Sequence, residues 1–319
     1  MAGIKATDLA AVLNTVPMPQ YFKAFGLDTK FLDLLGGLRP GPARIQIPIH
    51  SAGNATAGSF AESADLSTAG HQTRTMVTQA YKRVYATCSV DGLQEAIANA
   101  GGVVNINNLV QTEMMDAIRD LLDEINTEML GDGTGNSAAD IDGVRYHLDD
   151  NNTWCSVARS GAAYLQAYHS ENSGTDRDLS ETLMRAVHNV LVNTRKSNYS
   201  HIVTSSTVAD SYEALMGDRL RLMNAQVGDI TLPALAFKGR PVITIPGYET
   251  NSMGFIKADD WAAYYLPQVT TDSFGRQVQG PFKVEPYYPN SDDRTFIIVA
   301  YVNLVCKNPW QQGALVDVQ

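Results

Sequence analysis

The side chains with the most chemical potential fall in one short stretch. Asp132, Asp140 and Asp142 lie within eleven residues of one another, interleaved with Gly131, Gly133, Gly135 and Gly143. Three carboxylates at that spacing suggest a divalent-cation loop. A calcium loop, however, needs a Glu at its twelfth position, and counting from Asp132 that position is Gly143. Asx-turns are the alternative use of such side chains. Gly131-x-Gly133-x-Gly135 has the look of a phosphate-binding turn, but it follows a helical pattern. The dinucleotide fingerprint must follow a strand and open a helix. A plain helix exit is the simpler reading.

Other catalytic signatures are missing from the sequence. There is no His-Glu-x-x-His, no Gly-x-Ser-x-Gly and no Gly-Lys pair to build a P-loop. The six histidines (His50, His71, His147, His169, His188 and His201) show no i, i+2 or i, i+4 pairing. Cys88, Cys155 and Cys306 are few and far apart, as expected of buried small hydrophobes in a reducing compartment. Lys82-Arg83, between Tyr81 and Tyr85, is a small basic-aromatic cluster. Two cations do not make a nucleic-acid site on a chain of net charge -10, so acidic residues of a neighbouring subunit are the expected partners. No cofactor is expected. A metal-assisted hydrolase using the 132–142 acids is the remaining enzymatic alternative.

The elements that carry these residues read as follows. At 319 residues, with 44% hydrophobic and 18% charged side chains, the chain can build a sizeable core. The longest apolar run, Phe296 to Val302, is far short of the about 20 residues that span a bilayer. No apolar leader stands out near Met1, so a secretory signal is not expected. Residues 1–38 form an arm, with Leu9, Val12, Leu13 and Val16 at helical spacing before Pro17 and Pro19, and an apolar patch at Phe31, Leu32, Leu34 and Leu35. Ile45, Ile47 and Ile49 alternate with polar neighbours as in a strand, and Met76 to Val90 is expected to return as its partner. The intervening Gly/Ala/Ser stretch makes an extended hairpin with little core of its own.

A long helix is expected from a cap at Asn107 or Asn108 to Gly131, with Met114, Ile118, Leu121, Leu122, Ile125 and Met129 on one face. Residues 109–150 carry eleven acids against Arg119 and Arg145, so nearly the whole negative imbalance sits there. Further on, Leu179 to Arg195 and Val208 to Met216 read as helices. His201 to Thr204, Leu235 to Phe237 and Val242 to Ile245 read as strands, the last two joined by Lys238-Gly239-Arg240-Pro241. Thr295 to Val305 is apolar on both faces, the mark of a central strand packed beneath the long helix.

This order of parts resembles the tailed-bacteriophage major capsid proteins of the HK97 type. The residues that carry the resemblance are the long acidic helix running into Gly131-Asp132-Gly133-Thr134-Gly135-Asn136 and Ile141-Asp142-Gly143, the Phe237-to-Val242 turn, Pro246-Gly247-Tyr248, Asp259-Asp260-Trp261 and the closing apolar strand. It implies an α+β, HK97-like capsid fold. The N-arm would be residues 1–38 and the extended loop 39–90. The peripheral domain with its spine helix would be 91–145 and 281–319, and the axial domain 146–280.

By the same resemblance the chain is expected to assemble with itself, as hexamers and pentamers, into an icosahedral shell around double-stranded DNA. Its expected location is the virion, and the host cytoplasm during assembly, with no membrane partner. Because the sequence opens directly on the arm, a separate scaffolding protein is expected, with a portal and a decoration protein as further partners. Some relatives cross-link through a Lys near the loop tip. Here no Lys lies between Lys30 and Lys82, so non-covalent joining is expected. An encapsulin-type compartment is the nearest alternative. The expected contacts between subunits are Phe22, Phe25, Phe31, Leu32, Ile45, Ile47, Ile49, Val77, Tyr81, Lys82, Arg83, Val84 and Tyr85. The acidic helix face (Glu113, Asp116, Asp120, Asp123, Glu124 and Glu128) is expected to line the lumen, where it would not grip phosphate.

Overall fold

The computed structural model describes residues 30–52, 58–62, 73–93, 96–97, 103–151, 153–217, 222–227, 230–271, 277–287 and 293–319. The arm helix expected around Leu9 to Val16, Phe22 and Phe25, and most of the hairpin tip lie outside them.

The thirteen-residue strand Arg294–Cys306 is the hub of the fold. It pairs antiparallel with Lys82–Val90, Phe282–Tyr287 and Trp261–Tyr265, and Leu38–Pro40 adds parallel to the last. Its residues Ile298, Ala300, Val302 and Leu304 are fully buried. They share one core with Leu121, Ile125 and Met129 of the long helix, as the sequence pattern predicts. That helix runs Val103–Leu130, starting about one and a half turns earlier than expected. Asn107 and Asn108 therefore sit inside it and do not cap it.

A second, seven-stranded sheet has the order Tyr168–Ser170, Gly313–Leu315, Met253–Ile256, His201–Thr204, Arg240–Thr244, Ile230–Phe237, Leu222–Val227. Glu181–Asn189 and Ser206–Met216 pack on it around Met184, Val187, Tyr212 and Phe255. Ser180 and Ser205 cap these helices by accepting the N–H of Leu183 and Val208. The first helix becomes a π turn from Val190 to Thr194 rather than staying α to Arg195. Only Lys238 and Gly239, both at positive φ, form the hairpin turn; Arg240 and Pro241 already belong to the strand.

Ile45–Ala52 and Thr73–Gln79 form the expected antiparallel hairpin. The returning strand does not continue to Val90. It breaks at Ala80-Tyr81, and Lys82–Val90 belongs to the five-stranded sheet. The hairpin is thus joined to the body by two short legs. Gly41 lies in one, and an added Cβ there would come 2.3 Å from the Tyr81 hydroxyl of the other. That hydroxyl donates to the Pro42 carbonyl at 2.7 Å, tying the legs together.

After the long helix the chain makes a left-handed turn at Asn136, Ser137 and Ala138, with φ of 50°, 60° and 63°. Left-handed backbone costs roughly 1–2 kcal/mol per non-glycine residue. Ala138 has no side-chain hydrogen bond to offset it. Ala138→Gly should therefore raise stability by about 1 kcal/mol, after allowing for glycine's freer unfolded chain. Thermal unfolding checks this; an unchanged or lower Tm contradicts it.

Candidate assembly interface

The root of the hairpin is where sheet, helix exit and hairpin meet. Gln79, the last hairpin residue before the break, is buried. Its Nε2 donates to Asp142 Oδ2 and to the Leu304 carbonyl, both at 2.9 Å. Asn303 Nδ2 donates to the same Asp142 oxygen at 2.8 Å and to the Ala80 carbonyl at 2.7 Å. Asn303 Oδ1 in turn accepts the Asp142 N–H at 3.1 Å. Lys82 Nζ lies 3.3 Å from Asp142 Oδ1 and donates to the Ala138 carbonyl at 2.8 Å. One carboxylate thereby gathers the hairpin, the central strand and the helix exit.

Beneath this clamp lies a small core of Ile45, Ile47, Val77, Trp154, Leu165 and Val305. His147 supports it, fully buried, with its ring between Trp154 and the Leu304 carbonyl.

These contacts revise most of the expected subunit contacts. Ile45, Ile47 and Val77 are covered by the same chain's Trp154, Leu165 and Val305, because the hairpin root lies along its own body. Phe31 and Leu32 enter the main core, and Val84 faces the long helix. Ile49 and Tyr81 are partly buried on the hairpin-root core. Lys82 pairs within its own chain. Arg83, one residue on, points to the opposite face of the sheet, because side chains alternate along a strand. The Lys82-Arg83 cluster therefore does not exist in three dimensions.

Two of the open surfaces among the described residues lie on the sheet and the hairpin. On the outer face of the five-stranded sheet, Tyr85 is 70% exposed. It lies opposite Val299, which lies opposite Lys283 on the next strand; Arg83 opposes Tyr301, and Thr87 opposes Ile297. Residues directly opposite share a face, so Tyr85, Ile297, Val299 and Tyr301 form an apolar stripe. On the hairpin, the face opposite Ile47 and Val77 carries Gln46, Pro48, Met76 and Thr78, with Met76 61% exposed. Met76 was missed as a surface residue in the sequence; its alternation with Val77 is the signal that places it. Beyond Ile49 the hairpin leaves the body, and a cleft of about 590 Å³ opens between its flank and Tyr164, Lys307 and Trp310.

The acidic helix face is narrower than expected. Asp120, Asp123 and Glu124 are exposed, while Glu113, Asp116 and Glu128 are half-buried. Glu128 turns inward and accepts the Ile141 N–H at 3.0 Å. Burial raises its pKa, and also that of Glu113. The loop acids separate. Asp132 accepts the N–H and hydroxyl of Thr134 in an Asx-turn, which lowers its pKa, while Asp142 serves the clamp. Among the described residues, no three His, Cys, Asp or Glu side chains are placed to hold a metal ion. The three cysteines are free and buried; burial pushes the Cys155 thiol up to about 12.

The SU10 major capsid protein family model matches residues 22–319. The chain belongs to that family. It is a phage major capsid protein, and the family's role is structural. Solved structures share its fold. The capsid of cyanophage A-1(L) superposes with a TM-score of 0.76 at 16% identity, over 97% of this chain and 98% of that one. The capsid of an empty GTA particle gives 0.62 at 13% identity, covering 99% and 98%. The SrpI encapsulin of Synechococcus elongatus PCC 7942 gives 0.60 at 9% identity, covering 100% and 97%. The encapsulin shares the fold, but the family match is to a capsid protein. A search of curated proteins finds no match. The HK97-like α+β fold implied by the sequence resemblance is the fold observed.

Proposed function

We propose that this capsid protein assembles with itself, as hexamers and pentamers, into an icosahedral shell enclosing double-stranded DNA. The observation that carries this reading is the pair of open surfaces that present Met76 and Tyr85 to solvent. The outer hairpin face with Met76 and the sheet stripe with Tyr85 are suited to meet adjoining copies. Burying one such side chain contributes about 1.5–3 kcal/mol, and symmetry repeats the contact around the shell. Modest single contacts let misplaced copies leave before closure.

Arg83 on the stripe and Arg44 on the hairpin leg supply positive charge for acidic residues of adjoining copies. The exposed Asp120, Asp123 and Glu124 are suited to a lumen wall that does not bind phosphate. A separate scaffolding protein, a portal and a decoration protein are the further partners of this reading. The virion is its destination, and the host cytoplasm the place of assembly.

Electron microscopy of the purified chain, followed by denaturing gels of the same particles, tests it. Closed shells that dissociate to single chains in SDS are expected, since the described hairpin strands and the sequence between Lys30 and Lys82 offer no amine for a cross-link. Particles that stay monomeric under all assembly conditions contradict the reading. A ladder of covalent oligomers contradicts the non-covalent joint.

A further inference from the structure

His147 lies at the joint between the hairpin and the body, and its surroundings fix its protonation state by geometry. Trp154 Nε1–H donates to His147 Nδ1 at 2.9 Å, so Nδ1 carries no proton. The single ring proton is on Nε2 and is donated to the Leu304 carbonyl at 3.0 Å. Tyr146, Trp154 and Trp261 meet the imidazole edge-on, at 5.2, 6.3 and 5.4 Å between ring centres. The ring is wholly shielded from water.

The Leu304 carbonyl also accepts Gln79 Nε2, so His147 and the hairpin's last residue share one acceptor. Gln79 Oε1 is buried without a hydrogen-bond partner, which leaves the hairpin side of the joint incompletely satisfied. An unpaired buried acceptor of this kind weakens the docked state.

We propose that His147 is an acid-sensitive latch: a second proton on its ring displaces Trp154 and undocks the hairpin while the central sheet stays folded. The proton comes from bulk solvent and adds at Nδ1. That places two N–H donors face to face, so the Trp154 indole must move. Trp154 packs on Ile45, Ile47 and Val77, and those residues hold the hairpin root to the body. The latch is a property of the single chain and does not rest on shell formation.

The charges around the ring oppose one another. Asp142, from the loop ahead of the short helix Val144–Leu148, favours the protonated form, but Lys82 already pairs with it. Arg159, buried on the following turn, disfavours it. Tyr146, Cys155 and Cys306 stay neutral through this range, their pKa values raised by burial. Burial is the largest influence and holds His147 at about 4, below the usual 6.5. A depressed histidine pKa favours the docked state fully above pH 6.5. That advantage is lost as pH falls towards 4, by about 300-fold in all.

Hydrogen exchange read by mass spectrometry on the full chain, from pH 7 to 4.5 and corrected for intrinsic rates, tests the latch. Amides of 45–52 and 73–79 are expected to open on the order of 100-fold more at pH 4.5, while those of 298–304 keep their protection. His147→Gln, which can bond both partners without titrating, is expected to flatten the response. His188 and His201 also have lowered pKa values but lie on the seven-stranded sheet side, so a response that persists in His147→Gln overturns the proposal. Simultaneous loss of hairpin and central-strand protection in the unaltered chain overturns it too. Should His147→Gln not fold, Trp154→Phe serves. It removes the opposing donor, so a second ring proton meets no facing N–H and the acid-induced opening of the hairpin is expected to shrink; an undiminished acid response overturns the latch.

Discussion

Replacing Asp142 by Ala should destabilise the chain by about 3 kcal/mol, because three partners lose their acceptor together. Gln79 Nε2 and Asn303 Nδ2 both bond one carboxylate oxygen, and the Lys82 ammonium sits against the other. Truncation leaves two buried amides and a mostly buried cation with unmet hydrogen bonds, and such orphaned groups cost more than the bonds themselves contributed. Asp142→Asn keeps one carbonyl acceptor and should lose about half as much. Urea unfolding measures both. A loss below about 0.5 kcal/mol for Asp142→Ala would mean that the clamp does not hold the hairpin root.

The opposite pattern is expected on the open surfaces. Met76→Asp combined with Tyr85→Asp should leave the folded chain within about 0.5 kcal/mol of its original stability, since both side chains face solvent. Assembly should be abolished. A carboxylate buried at a contact between copies carries a desolvation cost of several kcal/mol, and a shell repeats that cost at every joint. Sedimentation and electron microscopy of the double variant read this directly. Shells as abundant as those of the unaltered chain would remove both surfaces from the assembly interface.

The contrast between these variants reflects which parts of the molecule could be read from sequence. Thr295 to Val305 declared itself a central strand because it is apolar on both faces, and three antiparallel partners surround it. The apolar stripe of the long helix was equally plain. The helix start was missed because Asn107 and Asn108 resemble a cap, although both lie inside the helix.

The site was less legible for a physical reason. Alternation shows that Ile45, Ile47 and Val77 share a face, but not what covers it. The cover is Trp154 and Leu165, about one hundred residues away in sequence. The break at Ala80-Tyr81 has no Gly or Pro to announce it, and without it Lys82 and Arg83 read as a continuing hairpin. The clamp is invisible for the same reason, since Gln79, Asp142 and Asn303 are brought together only by the closed sheet.

Copies of this chain are expected to join through the outer hairpin and the Tyr85 stripe. A cryo-EM reconstruction of the assembled particle at side-chain resolution measures that directly. Met76 and Tyr85 are each expected to lie within about 4 Å of an adjoining copy. A closed particle in which both side chains still face solvent would contradict that joint.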